Sequence, residues 1–178
     1  MFAEGTDWHL PWMARVRPTV QRLAERHPDR TVFTRFILAR RVGDDPGTGR
    51  HYYQPWRDMT IEQLGPDMVR LLPELEALAP PATVIDKIRY SPWYRTELAA
   101  LLRHRQTDML IVSGGETDVC VIATVLGAID RGYRVIVVTD GLCSSSDTAH
   151  DAALRIYHDR FTELVETVCA ETILREWW

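Results

Sequence analysis

The sequence predicts an α/β protein, a three-layer α/β/α sandwich around a parallel sheet. Two observations carry that prediction. Short β-branched runs recur along the chain: "TVFTRFILA", "ATVIDKIRY", "DMLIVSG" and "YRVIVVTDG". Between them lie segments with helical apolar spacing, and strands that alternate with helices form a parallel sheet covered on both faces.

"RPTVQRLAERH" (Arg17–His27) places Val20, Leu23 and Ala24 on one face and reads as a helix with Pro18 in its first turn. "TVFTRFILA" and "DMLIVSG" read as buried strands. "DDPGTGRHYYQPW" is dense in turn formers and reads as a loop. "TIEQLGPDMVRLLPELEALAPP" gives one or two short helical pieces, and "TELAALLRHR" a further helix. "TDVCVIATVLGAIDRG" reads as a helix closed by Gly132. "DTAHDAALRIYHDRF" reads as a helix starting at a Ser or Asp cap, and "ETILREWW" as a last strand or tail.

At 178 residues the chain reads as a single domain, 1–178, long enough to bury roughly 70% of its unfolded surface. A formal charge of -4 and scattered basic residues exclude a nucleic-acid footprint; the dense patch from Arg35 to Arg41 is short. Three irregularly spaced cysteines argue against a disulfide framework or a zinc site. Neither a signal-peptide pattern nor an apolar run of membrane length is found, so no membrane partner and a cytoplasmic location are expected.

In parallel α/β sheets the site lies at the carboxyl ends of the strands. Three expected strand ends carry functional side chains: Lys87, the Gly114-Gly115-Glu116 turn and Asp140. Cys120 follows that turn, in the first turn of a helix. It is either a small apolar core residue or a nucleophile whose thiolate is favoured by free N–H groups and the helix dipole. Lys87 either snorkels at a strand edge or stabilises that thiolate by charge. Cys143 reads as a strand-end loop residue and Cys169 as core. "SGGETD" also permits a phosphate cradle with Asp140 as a ribose acid, although G-x-G-x-x-G is absent and Glu116 and Asp118 would face a pyrophosphate. Asp147, His150 and Asp151 read as a solvated cap and first turn rather than a metal site. The run Ser144–Ser146 reads as a loop leading into that cap, since G-x-S-x-G is lacking.

The block "GGETDVCVIATVLGAIDRGYRVIVVTDGLCSS" resembles the signature of the isochorismatase-like cysteine hydrolases, which include nicotinamidases and related amidohydrolases. The family's nucleophile stands three residues after the threonine of such a turn, which is Cys120. "DKIRYSPWYRTELAALL" resembles the family's lysine segment and matches Lys87 to its catalytic lysine, and "HDAAL" also fits. The resemblance runs from about Thr31 to Phe161. It implies a cis peptide between Gly115 and Glu116, and an oxyanion hole from the N–H groups of Glu116 and Cys120. It also implies a small-molecule substrate, no cofactor and a homo-oligomer, dimer or tetramer. In the family's amide chemistry an aspartate takes the thiol proton, the thiolate attacks the carbonyl and water releases the acyl group. Isochorismatases proper split a vinyl ether, so an amide, ester or related substrate is expected without being fixed by the fold.

Two departures stand beside the resemblance. Where metal-binding nicotinamidases carry Asp-x-His, this chain reads "TRFILAR", so no metal is expected. The aromatics Tyr52, Tyr53, Trp56, Trp93 and Tyr94, with Thr117, suggest an aromatic-walled substrate pocket or a dimer interface. The family also opens with a central strand ending in an aspartate, followed by glutamine and phenylalanine. Phe2 matches that phenylalanine, which places the strand and its acid before Met1; Glu4 and Asp7 fall on the wrong side. The expectation is therefore a sandwich lacking its first strand, in an N-terminally incomplete chain. Trp177 and Trp178 would form an exposed apolar end, a hint of assembly. Besides a cysteine hydrolase, a catalytically silent relative that binds a small ligand or partner, and a nucleotide-binding domain, remain open readings.

Overall fold

The computed structural model describes residues 1–2 and 4–177, so Trp178 lies outside the described residues. The β-branched runs form strands β1 (Val32–Phe36), β2 (Thr83–Lys87), β3 (Met109–Gly115) and β4 (Arg134–Cys143). A further strand, β5 (Val165–Val168), arises from "VETV", too short a run to stand out in the sequence. All neighbouring strands are parallel. Lys87, at the end of β2, reaches Cys120 beyond the end of β3, so the carboxyl ends gather at one edge.

Among the described residues the strands form two parallel sheets, in keeping with the expected sandwich that lacks one strand. β1 pairs with β2, and β3–β4–β5 form a second sheet in that order. Among the described residues, β1 and β3 each keep one edge without a strand partner. A groove of about 970 Å³ lies between them, lined by the whole of Thr31–Phe36 and Met109–Gly115. For the same reason β1 and β3 are half-buried or exposed along their length, where buried strands were expected. β4, flanked on both sides, holds Val135, Val137 and Val138 at 0% exposure.

Alternation along β4 sorts the core into two faces. Val135 and Val137 pack with Leu98 and Leu102 of α5 (Leu98–His104), Val125 and Ala128 of α6 (Ile122–Ile129) and Tyr157 of α7 (Asp147–Arg160). Val138, with Ile136, packs on the other face with Leu23 of α1 (Met13–Arg26) and with Ala170 and Ile173 of α8 (Ala170–Glu176). The period of two in a strand produces this division, and helices on both faces complete the three layers. Among the described residues no helix is long and apolar enough to cross a membrane.

Several elements differ from the sequence reading. α1 starts at Met13 rather than Arg17, which puts Pro18 inside the helix. Packing of Val16 and Met13 with Leu10 and Cys143 offsets the hydrogen bond that Pro18 cannot donate. The expected loop around Tyr52 contains a single helical turn, α2 (Gly49–Tyr52), and α3 (Ile61–Leu64), a 3₁₀ turn (Pro66–Val69) and α4 (Pro73–Glu76) follow. The tail expected as strand or coil is α8. Its first N–H, from Ala170, is accepted by the Asp140 carboxylate at 2.7 Å, which supplies an N-terminal partner the sequence pattern hides. Trp177 is consequently half-buried, 4.4 Å from the ring of His27, and is not an exposed apolar end. Other caps follow expectation. Gly132 closes the α6 segment at φ +82°, and Ser146 Oγ accepts the Ala149 N–H at the start of α7.

Candidate active site

β3 ends in a turn that only glycine can make. Gly114 has φ +112°, and a Cβ on Gly115 would sit 2.9 Å from both Cys143 Sγ and Leu10 Cδ1. The Gly115–Glu116 peptide is cis. The chain then enters a wide turn, Thr117–Val121, in which the Val121 N–H donates to the Glu116 carbonyl at 2.9 Å, five residues back. Such π turns concentrate at functional sites. Thr117 is completely buried, and its hydroxyl donates to the Cys143 carbonyl at 3.1 Å. It also lies 2.8 Å from His150 Nδ1. With its one proton given to the carbonyl, Thr117 accepts from a protonated Nδ1. Thr117 therefore fastens the turn to β4 and α7 rather than facing a substrate, and His150 is buried where a solvated first turn was expected.

Cys120 stands in this turn, half-buried, on the wall of the groove. The buried Lys87 ammonium donates to the carbonyls of Arg89 at 3.0 Å and Tyr90 at 2.9 Å, and to Cys120 Sγ at 3.4 Å. Those three acceptors match the three N–H bonds of the ammonium. Burial pushes the Lys87 pKa down, and the charge and hydrogen bond of Cys120 oppose the shift. Loss of solvation disfavours an isolated cation, whereas a thiolate beside it favours the charged pair. The Phe36 ring adds a cation–π contact at 5.3 Å.

The acids near the turn are engaged elsewhere. Glu116 accepts from Ser145 Oγ at 2.6 Å and from the Ser145 N–H at 3.3 Å, and Asp118 accepts from Ser144 Oγ. Asp140, expected at the site as a strand end, is turned away from it. β4 bulges there, so that Val112 to Gly114 of β3 are matched by Val137 to Leu142, and the Asp140 side chain serves α8. Among the described residues no carboxylate is hydrogen-bonded to Lys87 or Cys120.

The expected aromatic wall is reassigned in part. Trp8, which the sequence reading passed over, lies 6.1–6.3 Å from the rings of Phe36, Tyr52, Tyr53 and Trp56. Tyr52 also meets Tyr90, which follows Lys87. Tyr53 is buried and its hydroxyl accepts the Ala39 N–H at 3.1 Å, a structural role. Trp93 belongs mainly to the core. Its ring stacks on Tyr133, its indole N–H donates to the Thr124 carbonyl at 2.9 Å, and a Cβ on Gly127 would meet it at 2.2 Å. Nothing local in the sequence ties Trp8 to Tyr52; only the fold brings them together.

The other cysteines are set apart by environment. Cys143 is buried in β4, and its pKa is pushed up to about 11 by burial, with the Glu116 charge adding to the shift. Cys169, expected in the core, is exposed at the start of α8, where hydrogen bonds from Thr172 lower its pKa. Iodoacetamide at neutral pH is expected to label Cys169 and Cys120 and to spare Cys143 in the folded protein, as peptide mapping would reveal. Labelling of Cys143 at the rate of Cys169 would contradict this order.

The isochorismatase domain family matches residues 1–168. Among curated relatives, an uncharacterized isochorismatase family protein of Bacillus subtilis is 31% identical over 94 residues, 53% of this chain and 49% of that protein. The maleamate amidohydrolase of Pseudomonas putida is 30% identical over 92 residues, 51% of this chain and 43% of the relative. The nicotinamidase of Escherichia coli is 44% identical over 59 residues, 33% of this chain and 28% of the relative. These matches span about half or less of the relatives' lengths. Solved structures agree over nearly all of the fold. A cysteine hydrolase from Pseudomonas syringae superposes with TM-score 0.82 at 23% identity, covering 98% of this chain and 85% of the other. An isochorismatase-like hydrolase from Alkaliphilus metalliredigens gives TM-score 0.76 at 20% identity, covering 99% and 90%. With the domain match running from the first residue through β5, the chain belongs to the isochorismatase family.

Proposed function

We propose that the protein is a cysteine hydrolase acting on a small amide, with Cys120 as nucleophile and Lys87 as its electrostatic partner. The observation that carries this reading is the 3.4 Å contact between Lys87 Nζ and Cys120 Sγ in a largely buried setting. A paired thiolate needs no separate base for the first step. It adds to the amide carbonyl carbon, and the carbonyl electrons move to an oxygen held by the N–H groups of Glu116 and Cys120. Collapse breaks the C–N bond as the ammonium of Lys87, made more acidic by burial, gives its proton to the departing amine. Water then attacks the thioester, neutral Lys87 takes its proton, and the acid leaves with the thiolate restored. Amide plus water thus gives acid plus amine. Maleamate amidohydrolase and nicotinamidase among the relatives support an amide over a vinyl ether. The Trp8–Tyr52–Tyr90 aromatics beside Lys87 favour a planar or apolar acyl group.

The test is ammonia release from a panel including maleamate and nicotinamide, with an activated aryl ester as a less demanding substrate. Turnover lost by roughly 10³-fold or more in Cys120→Ser supports the reading. A second reading, a catalytically silent member binding a small ligand, is favoured by the lack of a carboxylate on Lys87 or Cys120 among the described residues. No turnover, together with an alkylation rate at Cys120 typical of a free thiol, would select it.

A further inference from the structure

We propose that Lys87 and Cys120 together form an oxidation site, at which a hydroperoxide joins Sγ to Nζ in a reversible S–N bond, a sulfenamide. The inference rests on the same pair as the proposed reaction and concerns its regulation. The bond occupies nucleophile and proton donor at once and keeps the site silent until a thiol opens it. Cys120 lies half-buried on the groove wall, so a molecule as small as hydrogen peroxide reaches it. Lys87 is buried, with Nζ 3.4 Å from Sγ.

The atoms balance in two steps. The thiolate attacks one peroxide oxygen, the O–O bond breaks, and the sulfur becomes a sulfenic acid while hydroxide departs. That hydroxide takes a proton from the Lys87 ammonium and leaves as water, so the sulfur is oxidised and the peroxide reduced. The charge of Cys120, which opposed the downward shift of the Lys87 pKa, is then gone, and burial acts on the amine alone. A neutral amine keeps two N–H bonds, and the carbonyls of Arg89 at 3.0 Å and Tyr90 at 2.9 Å accept both. Its lone pair is left on the remaining side, facing Sγ. The lone pair attacks the sulfur, the S–O bond breaks, and hydroxide leaves with a further Nζ proton as water. Thiolate, ammonium and peroxide thus give one S–N bond and two waters. Competing partners are placed less well. A sulfenic acid also condenses with a backbone nitrogen or a second thiol. The Val121 N–H, next along the chain, is held by the Glu116 carbonyl at 2.9 Å. Cys143 is buried in β4 and Cys169 stands at the start of α8. Among the described residues, Lys87 Nζ is the one side-chain atom hydrogen-bonded to Cys120 Sγ.

The test treats the full chain, in a Cys169→Ser background, with a small excess of hydrogen peroxide and digests it with trypsin without reductant. Mass mapping is expected to find peptides 71–89 and 106–131 joined through Lys87 and Cys120, two hydrogens lighter than their sum. Dithiothreitol should separate them, after which iodoacetamide labels Cys120 again. Lys87→Met cannot form the bond and should instead collect sulfinic acid at Cys120, which a thiol does not reverse. With Lys87 in place, a sulfinic acid at Cys120, a ring onto the Val121 nitrogen, a disulfide to Cys143 or an unoxidised thiol each overturns the inference. So does the same loss of two hydrogens in Lys87→Met. The map of the chain with Lys87 decides the matter even if the methionine variant does not fold. No readout here needs turnover. A bridge in a chain that hydrolyses no amide would overturn the proposed reaction alone, and hydrolysis without a bridge would overturn this inference alone.

Discussion

Replacing Lys87 by methionine is expected to slow alkylation of Cys120 at neutral pH by about 10–100-fold and to abolish the rise of stability at alkaline pH. A cation in contact favours negative charge on the sulfur, and that advantage goes with the cation. Stability carries a pH slope because Lys87 is buried with its pKa pushed down. The unfolded chain binds the proton more tightly than the folded one. Folding is therefore penalised at low and neutral pH, and stability rises as pH climbs from the lowered folded value toward the ordinary lysine value of about 10.4. Methionine removes both the penalty and that slope and keeps the volume of the stem, while the Arg89 and Tyr90 carbonyls lose their donor, so the two effects on Tm oppose each other. Unfolding curves across alkaline pH and a pH–alkylation profile, taken in a Cys169→Ser background, measure the two effects. A variant that loses several degrees of Tm while keeping the alkylation rate would make Lys87 a structural lysine.

Gly115→Ala is expected to cost about 1–3 kcal/mol of stability, a Tm lower by roughly 3–10 °C, and most of the turnover. The added methyl meets Cys143 Sγ and Leu10 Cδ1 at 2.9 Å and the Cys143 carbonyl at 3.3 Å. Leu10 and Cys143 are both buried, so neither can swing aside into solvent. The relief falls on the Glu116–Cys120 turn, and displacing it separates Sγ from Lys87. Adding Cys143→Ala removes one of the two closest contacts, so the double variant should recover part of the lost Tm. No recovery would mean that the strain is carried by the backbone and Leu10 alone.

The parts of this fold legible in the sequence are those written locally. The strand before Cys120, the glycine turn and the Gly132 and Ser146 caps each depend on a few consecutive residues. What escaped depends on tertiary partners. α8 forms because Asp140, thirty residues away, caps it. α1 extends past its proline because Val16 and Met13 find Leu10 and Cys143. Thr117 and His150, 33 residues apart, read as a substrate contact and a solvated turn until the fold joins them. The pairing of Lys87 with Cys120 was available only through the likeness to a known family, since spacing alone left it open. Trp8 carried no signal at all: its partners lie 28 to 48 residues further along.

The Ser144–Ser146 segment connects these points in another way. Two carboxylates, Glu116 and Asp118, stand in or beside the Cys120 turn, and negative charge turned toward the thiol would oppose the attraction of Lys87. Each is instead hydrogen-bonded by its own serine, with the charge of Glu116 acting on Cys143, while the third serine starts α7. This stretch is thus an electrostatic rudder. Its hydroxyls occupy both acids, while the lysine keeps the contact with the thiol.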